Sequence, residues 1–353
     1  MAVDENRLTQ FLDRFVADLG ATVAAGNVVV GDRLGLYRAM KDGPLRPEEL
    51  ATKTGTAPRY VEEWLRGQAA GGYVEYGAET GQYWLTEEQA FALTDPEGAV
   101  FAPGAFELAL GALRAQDRIT EAFRTGDGVG WHEHDANVFS GCERAFKPWY
   151  SGSLIDAWLP ALEGVVAKLK TGAVVADVGC GHGASTVLMA QAFPDSVFTG
   201  VDRHSPSIDR ARERAVVNGL GDQVVFEVAS AQDFGEGAFG FDLVTTFDCL
   251  HDMGDPLGAA RHIRESLTPD GTWMIVEPYA GDNVTDNLNA VGRVYYSLSS
   301  FLCVPNALSQ EGGYSLGAQA GEGAVRRLVL DAGFKGFRRV AETQFNIVYE
   351  ARP

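Results

Sequence analysis

Ala173-Val174-Val175-Ala176-Asp177-Val178 runs directly into Gly179-Cys180-Gly181-His182-Gly183-Ala184-Ser185-Thr186. The first six residues are mostly small or β-branched, the composition of a strand buried on both faces of a parallel sheet. The next segment places glycine at every second position, so the backbone can approach a ligand with no Cβ in the way. Val187 to Phe193 then continue as a helix. A turn of this kind at a helix N-terminus is suited to a bound nucleotide. A second strand, Val197 to Val201, ends on Asp202 about 20 residues past the turn, where an acid can accept hydrogen bonds from ribose hydroxyls. Strands alternating with helices from about Thr171 onward imply a parallel sheet in an α/β domain.

The spacing is not the Gly-x-Gly-x-x-Gly of a dinucleotide turn, and no Gly-Lys-Ser/Thr follows as in a phosphate-binding loop. What stands here, Asp177-x-Gly179-x-Gly181-x-Gly183, resembles the first motif of class I S-adenosylmethionine (SAM) methyltransferases. The resemblance runs from about Thr171 to Pro353. Val224–Val228 resembles the third strand, with Ser230-Ala231 in the adenine-contacting loop after it. Phe241–Phe247 resembles the fourth strand, with Asp248 at its end. Leu267–Thr272 resembles the turn before a fifth strand, Trp273–Pro278, and the segments from Gly336 and Phe345 resemble the sixth strand and the antiparallel seventh. The resemblance implies an α/β, Rossmann-like seven-stranded methyltransferase core with SAM as cofactor. It also implies a cofactor site of Tyr150, Asp177, Gly179, Gly181, Gly183, Asp202, Ser230, Ala231, Phe247 and Asp248. Tyr150 enters through Phe146-Lys147-Pro148-Trp149-Tyr150, similar to the family segment whose aromatic covers the cofactor. SAM carries an ammonium and a sulfonium, so an acid at the turn makes electrostatic sense.

Ahead of that region, the first 95 residues read as helices followed by a hairpin. Leu45-Arg46-Pro47-Glu48-Glu49-Leu50 puts a proline and two acids in a first helical turn, as helix starts prefer. Gly55-Thr56-Ala57-Pro58 turns the chain into a second helix, about Arg59 to Ala70. Tyr73–Tyr76 and Gln82–Thr86 then flank a glycine-containing turn. Helix, turn, helix and a two-stranded wing resemble a winged helix. A DNA reader of that kind places cations on its recognition helix and wing. Here Arg59 and Arg66 are matched by Glu62 and Glu63, and the wing holds Glu75 and Glu79 with no Lys or Arg. Packing or dimerisation is the expected role, with apolar helices at residues 8 to 40 as the surface of a homodimer. The expected domains are a winged-helix and dimerisation domain at 1–95, a helical linker and active-site cover at 96–165, and a cofactor domain at 166–353. An insertion at about 278–320 would form a lid over the acceptor.

The expected reaction is methyl transfer to an oxygen. The alternatives are a nitrogen or carbon acceptor (metal-assisted in one form) or a SAM-binding regulator without catalysis. Transfer from a sulfonium to a hydroxyl needs an aligned acceptor and a group to take its proton. His251, in Cys249-Leu250-His251-Asp252-Met253, follows the fourth predicted strand, at the sheet edge where α/β folds bind ligands. Winged-helix O-methyltransferases carry a similar Leu-His-Asp segment, so the resemblance makes His251 the catalytic base. The competing reading has His251 cap the next helix. His251-Asp252 also resembles two ligands of a group of iron-dependent methyltransferases. No histidine follows Pro278 to complete such a set, and no metal is expected. Trp131-His132-Glu133-His134-Asp135 is a second polar and aromatic knot, which stays outside the catalytic set.

Composition sets the outer limits. The 353 residues carry 29 Lys and Arg against 48 Asp and Glu, a formal net charge of −19. That balance argues against nucleic-acid partners and anionic membrane surfaces, and a small-molecule methyl acceptor is the expected partner. Cys142, Cys180, Cys249 and Cys303 form no Cys-x-x-Cys pair, as in a reduced protein. No basic segment precedes an apolar one at the N-terminus, and no unbroken apolar run reaches about 18 residues, so a cytoplasmic protein without a membrane span is expected.

Overall fold

Asp4 starts the fold. Its carboxylate accepts the Asn6 and Arg7 amides at 3.0 and 3.1 Å and caps a 29-residue helix, α1 (Glu5–Arg33). The computed structural model describes residues 3–235 and 240–353. They form two units, residues up to Leu110 with Ser140–Pro148, and Gly111–Phe139 with Trp149–Pro353.

In the first unit, α1 is followed by α2 (Leu36–Ala39), α3 (Pro47–Thr54) and α4 (Pro58–Ala70). The last two open on proline, whose missing N–H costs nothing in a first turn. Strands β1 (Glu75–Gly77) and β2 (Gln82–Trp84) pair antiparallel as the expected wing, and α5 (Glu87–Leu93) opens on a Thr86–Gln89 capping box. Val28, Leu36, Tyr37, Met40, Leu50, Leu65 and Trp64 make the core. Gly31 lets α1 lie on Trp64, because a Cβ there would stand 2.3 Å from the indole. Arg144 bridges the buried Asp32 and Glu107 carboxylates. Helices α6 (Pro103–Leu113), α7 (Gln116–Thr125) and α8 (Ala136–Ser153) follow in the chain.

The first part of α1 is different. Leu8, Phe11, Leu12, Phe15, Val16, Leu19 and Val23 are all exposed. Among the described residues, α1 is the one helix long and apolar enough on average to cross a membrane, by length and composition alone. Asp13, Arg14 and Asp18 break any unbroken apolar run, and the Ala, Gly and Val residues that follow them make the rest of the helix apolar.

In the second unit, seven strands form one sheet. They are β3 (Val174–Val178), β4 (Val197–Asp202), β5 (Val224–Val228), β6 (Phe241–Phe247), β7 (Leu267–Pro278), β8 (Gly336–Glu342) and β9 (Asn346–Arg352). Their order is β5-β4-β3-β6-β7-β9-β8, parallel except where β9 runs antiparallel to β7 and β8. Helices α9 (Leu159–Ala161), α10 (Val165–Thr171), α11 (Ala184–Ala192), α12 (Ser205–Val217), α13 (Pro256–Ser266), α14 (Ala290–Phe301), α15 (Cys303–Leu308) and α16 (Glu322–Asp331) complete the unit. The expected turn at Leu267–Thr272 lies inside β7 instead. Phe241 pairs with Leu267 and Leu243 with Thr272, so Thr268–Gly271 bulge out of the ladder, as Pro269 requires because it has no amide to donate. β3 and β6 lie side by side at the centre with their C-terminal ends together. Strand order reverses there, and open α/β sheets bind ligands at that point.

Candidate active site

The glycine turn leaves β3 with Gly179, Gly181 and Gly183 all in the left-handed region, φ 76°, 52° and 73°. Two of the three are also sterically required. A Cβ on Gly179 would sit 2.6 Å from the Cys249 Sγ, and one on Gly183 would sit 2.6 Å from the Phe226 ring. Gly181 is the exception, because a Cβ there would meet nothing within 4 Å. The turn therefore packs on the protein at its ends and offers free space at its middle glycine.

Two carboxylates hold this turn. Asp177 points into the protein. Its Oδ2 accepts the Ser185 and Thr186 hydroxyls at 2.7 and 2.6 Å, and its Oδ1 accepts Thr245 at 2.9 Å. Burial raises its pKa, and those three hydroxyls pull it back. Asp202, at the end of β4, accepts the Gly181 amide on Oδ2 at 2.9 Å and the His204 amide on Oδ1 at 2.8 Å. A carboxylate offers about four acceptor positions, so two backbone amides leave it capacity for hydroxyls. Ser230 is occupied locally, since its hydroxyl and its amide both donate to Asp233 at 2.8 Å, while Ala231 packs on the core.

At the end of β6, Phe247 is buried under Tyr150, with ring centroids 5.0 Å apart. Asp248 follows with φ 49°, a left-handed conformation outside glycine that costs of order 1–2 kcal/mol. Its Oδ1 accepts the Asn346 side-chain amide at 2.8 Å, while its Oδ2 is buried with no partner. Burial, reinforced by the nearby Glu277, holds this carboxyl well above the carboxylate range. A buried oxygen without a partner is costly unless a ligand supplies one.

His251 stands one turn further on, in a short 3-10 segment, Leu250–Asp252. Its Nδ1 lies 2.7 Å from Glu277 Oε2, and the other oxygen of that carboxylate accepts the Leu250 amide at 3.1 Å. Both side chains are buried. Burial alone would depress the imidazole, but the Glu277 carboxylate and the Cys303 thiol more than offset it and hold His251 well above its ordinary value. With Nδ1 committed to Glu277, Nε2 is the nitrogen left to exchange a proton. Asp252 beside it is pushed up to about 7 by burial, with Glu277 and Asp202 adding to the shift.

This loop is tied down by the insertion after β7. On α15 and beyond, Asn306 and Gln310 both donate to the Asp252 carbonyl, at 3.2 and 3.0 Å. Asn306 also accepts the Trp131 amide at 3.1 Å, and Pro305 accepts Val129 at 2.9 Å. Gly128 lies so close to Ser309 that a Cβ would reach its backbone at 2.0 Å. The Trp131–His134 knot is thus a strap against α15. His134 is buried there, with neither ring nitrogen partnered. Among the described residues, no group of three or more His, Cys, Asp or Glu side chains is placed to hold a metal ion.

The sheet end thus gathers Tyr150, Phe247, Asp248 and His251 beside the glycine turn and Asp202, all in the second unit. Glu277 and Asn346, which sequence reasoning missed, complete the hydrogen bonding. Glu277 had one legible sign, an acid at the end of an otherwise apolar strand.

The family model described as a methyltransferase domain matches residues 169–321, and one described as an Rv2258c-like winged HTH domain matches residues 21–95. Residues 169–321 are a methyltransferase domain. Among curated relatives, the 27-O-demethylrifamycin SV methyltransferase of Amycolatopsis mediterranei is 28% identical over 163 residues, 46% of this chain and 51% of that protein. The ubiquinone biosynthesis O-methyltransferase of Haemophilus ducreyi is 34% identical over 109 residues, 30% of this chain and 44% of that protein. The chain therefore spans about half the length of these curated relatives. The crystal structure of human N-acetylserotonin methyltransferase in complex with SAM shares the fold, with a TM-score of 0.70 at 16% identity over 100% of this chain and 99% of that one. The methyltransferase domain shares the fold of that protein, whose structure holds SAM. The site fits that cofactor, with free space at Gly181, remaining acceptor capacity on Asp202 and an unpartnered oxygen on Asp248.

Proposed function

We propose that this protein transfers a methyl group from SAM to a hydroxyl oxygen of a small organic acceptor, with His251 as general base. The observation that carries the proposal is the 2.7 Å contact between His251 Nδ1 and Glu277, which sets the tautomer and leaves Nε2 to take the acceptor proton. Bound SAM supplies the electrophilic methyl on a sulfonium. The chain's residues then have three tasks. Gly179, Gly181, Gly183 and Asp202 hold the cofactor, with Asp177 securing the turn from behind. Tyr150, Phe247, Asp248 and the Ser230-Ala231 loop bound the cofactor space. His251 removes a proton from the acceptor oxygen, and Glu277 steadies the imidazolium that results. A hydroxyl is more acidic than most carbon acceptors, so the His251–Glu277 pair suits oxygen best.

The roles of the remaining segments belong to the same reading. We assign dimerisation to 1–95, an active-site cover to 96–165 and the acceptor lid to about 278–320. A homodimer fits the exposed stripe on α1, because apolar side chains at helical spacing gain by burial against a second copy. Nucleic acid fits poorly, since Arg59 and Arg66 on α4 pair with Glu62 and Glu63. The four cysteines form no disulfide, in keeping with a cytoplasmic protein. The decisive experiment is transfer of labelled methyl from SAM to extract fractions and to simple phenols and quinols. His251→Ala should slow transfer about 10²–10⁴-fold while SAM affinity stays within about twofold. Turnover equal to wild type would remove His251 as the base.

A further inference from the structure

Leu250–Asp252, the segment that carries His251, is a single 3-10 turn, and so short a turn gains little from its own hydrogen bonds. The Asp252 amide reaches the Cys249 carbonyl at 3.3 Å and the Met253 amide reaches Leu250 at 3.4 Å, both beyond the usual limit of about 3.2 Å. Its firm partners come from elsewhere. Glu277 takes the Leu250 amide and His251 Nδ1, at 3.1 and 2.7 Å. The rest belong to the insertion after β7. The Gly317 amide donates to the His251 carbonyl at 3.1 Å, the Tyr314 amide donates to the Gly254 carbonyl at 2.8 Å, and Gln310 Oε1 accepts the Gly254 amide at 3.2 Å. The Asp252 carbonyl takes two donors, Asn306 Nδ2 at 3.2 Å and Gln310 Nε2 at 3.0 Å, which fills both of its acceptor positions. Glycine permits this closeness, because a Cβ on Gly254 would stand 2.5 Å from the Gln310 side chain and 2.7 Å from the Glu311 carbonyl. Asn306 is buried and uses both ends of its amide, Nδ2 on the turn and Oδ1 on the Trp131 amide of the strap.

We propose that Asn306 and Gln310 are positioning residues for His251, a clamp through which the insertion fixes the turn that carries the imidazole. The clamp deepens the proposed methyl transfer and rests on His251 as base for its effect on rate. With the insertion displaced, the Asp252 and Gly254 groups lose their partners, and Glu277 and two long bonds are left to hold the turn. The segment assigned as the acceptor lid therefore also places the base, so enclosing the acceptor and aligning His251 are one event. A misplacement of about 1 Å can cost about 10²-fold in rate.

The test uses the full-length protein saturated with SAM and two substitutions, Asn306→Leu and Gln310→Met, that nearly keep volume and add no charge near the imidazole. The first readout is the proton NMR resonance of the Nδ1–H that His251 shares with Glu277, a downfield signal identified by its loss in His251→Ala. Both clamp variants should broaden or shift it and speed its exchange with water at least about tenfold. On any phenol or quinol that the wild type methylates, kcat should fall about 10²-fold while KM for SAM stays within about twofold. A resonance unchanged in both folded variants overturns the clamp. A change in Asn306→Leu alone also overturns it, because Asn306 would then act through the strap at Trp131 and not through the Asp252 carbonyl. Gln310 is only half-buried, so Gln310→Met decides the matter by itself if Asn306→Leu fails to fold. Turnover by His251→Ala equal to wild type would overturn the base and not the clamp, whose resonance is read without turnover.

Discussion

Asp252 and His251 are neighbours whose pKa values are both raised, with a consequence for stability in the first case and for rate in the second. Burial raises Asp252 to about 7, so the folded state holds its proton where an unfolded chain, near 3.9, has lost it. The unfolded state therefore binds fewer protons between about pH 4 and 7, and stability falls as pH rises through that window. Asp252→Asn mimics the protonated side chain, so its melting temperature relative to wild type should increase from pH 5 to pH 8, by roughly 2 °C or more. A difference that is constant with pH would show that Asp252 ionises normally. For His251 the raised pKa favours the protonated imidazole, with Glu277 the largest raising cause. Methyl transfer should therefore rise with pH along an acid limb lying above the ordinary imidazole value of about 6.5. Glu277→Gln removes the carboxylate that lifts it and should move that limb downward, with a loss of rate at its plateau. An acid limb unmoved by Glu277→Gln would separate the rate from His251. The histidine itself was legible in Leu250-His251-Asp252. Its partner was not, because Glu277 comes from a strand 26 residues away in sequence.

At the scale of the element, the three glycines of the turn separate two kinds of constraint. Gly179 and Gly183 need glycine for φ and for space, whereas Gly181 needs it for φ alone. Alanine at Gly181 should cost about 1–2 kcal/mol of stability and, with its methyl in the open space, weaken SAM binding tenfold or more. Alanine at Gly183 must displace the Phe226 ring and should destabilise the fold more, typically by about 1–3 kcal/mol on top of the backbone strain. Thermal melts with and without SAM distinguish the two. Equal loss of stability, or a Gly181→Ala protein with unchanged affinity, would contradict this division. The strand–turn–helix unit was readable because its cues are local, with β-branched residues and alternating glycines. The bulge at Thr268–Gly271 and the strap of Val129 and Trp131 against α15 were not, since each depends on partners distant in sequence.

At the scale of the whole molecule, the exposed stripe on α1 sets out seven apolar side chains, from Leu8 to Val23, on one helix. Phe11 and Phe15 are 65% and 52% exposed and lie one turn apart. A double Phe11→Glu, Phe15→Glu variant should keep its circular dichroism and shift the light-scattering mass from a dimer to the 37.9 kDa of one chain. A wild-type protein already at that mass would remove the homodimer. The sequence alone determined the α/β core, the cofactor turn, the winged helix and the identity of the candidate base, because periodicity, glycine spacing and short motifs act over a few residues. Only the tertiary structure decided that Asp177 faces the protein interior, that Glu277 holds His251 Nδ1, and that Asp248 keeps one buried oxygen unpartnered. Those facts depend on which side chains from distant segments share one low-dielectric space, and burial and hydrogen bonding there set charge and orientation in ways no local pattern records.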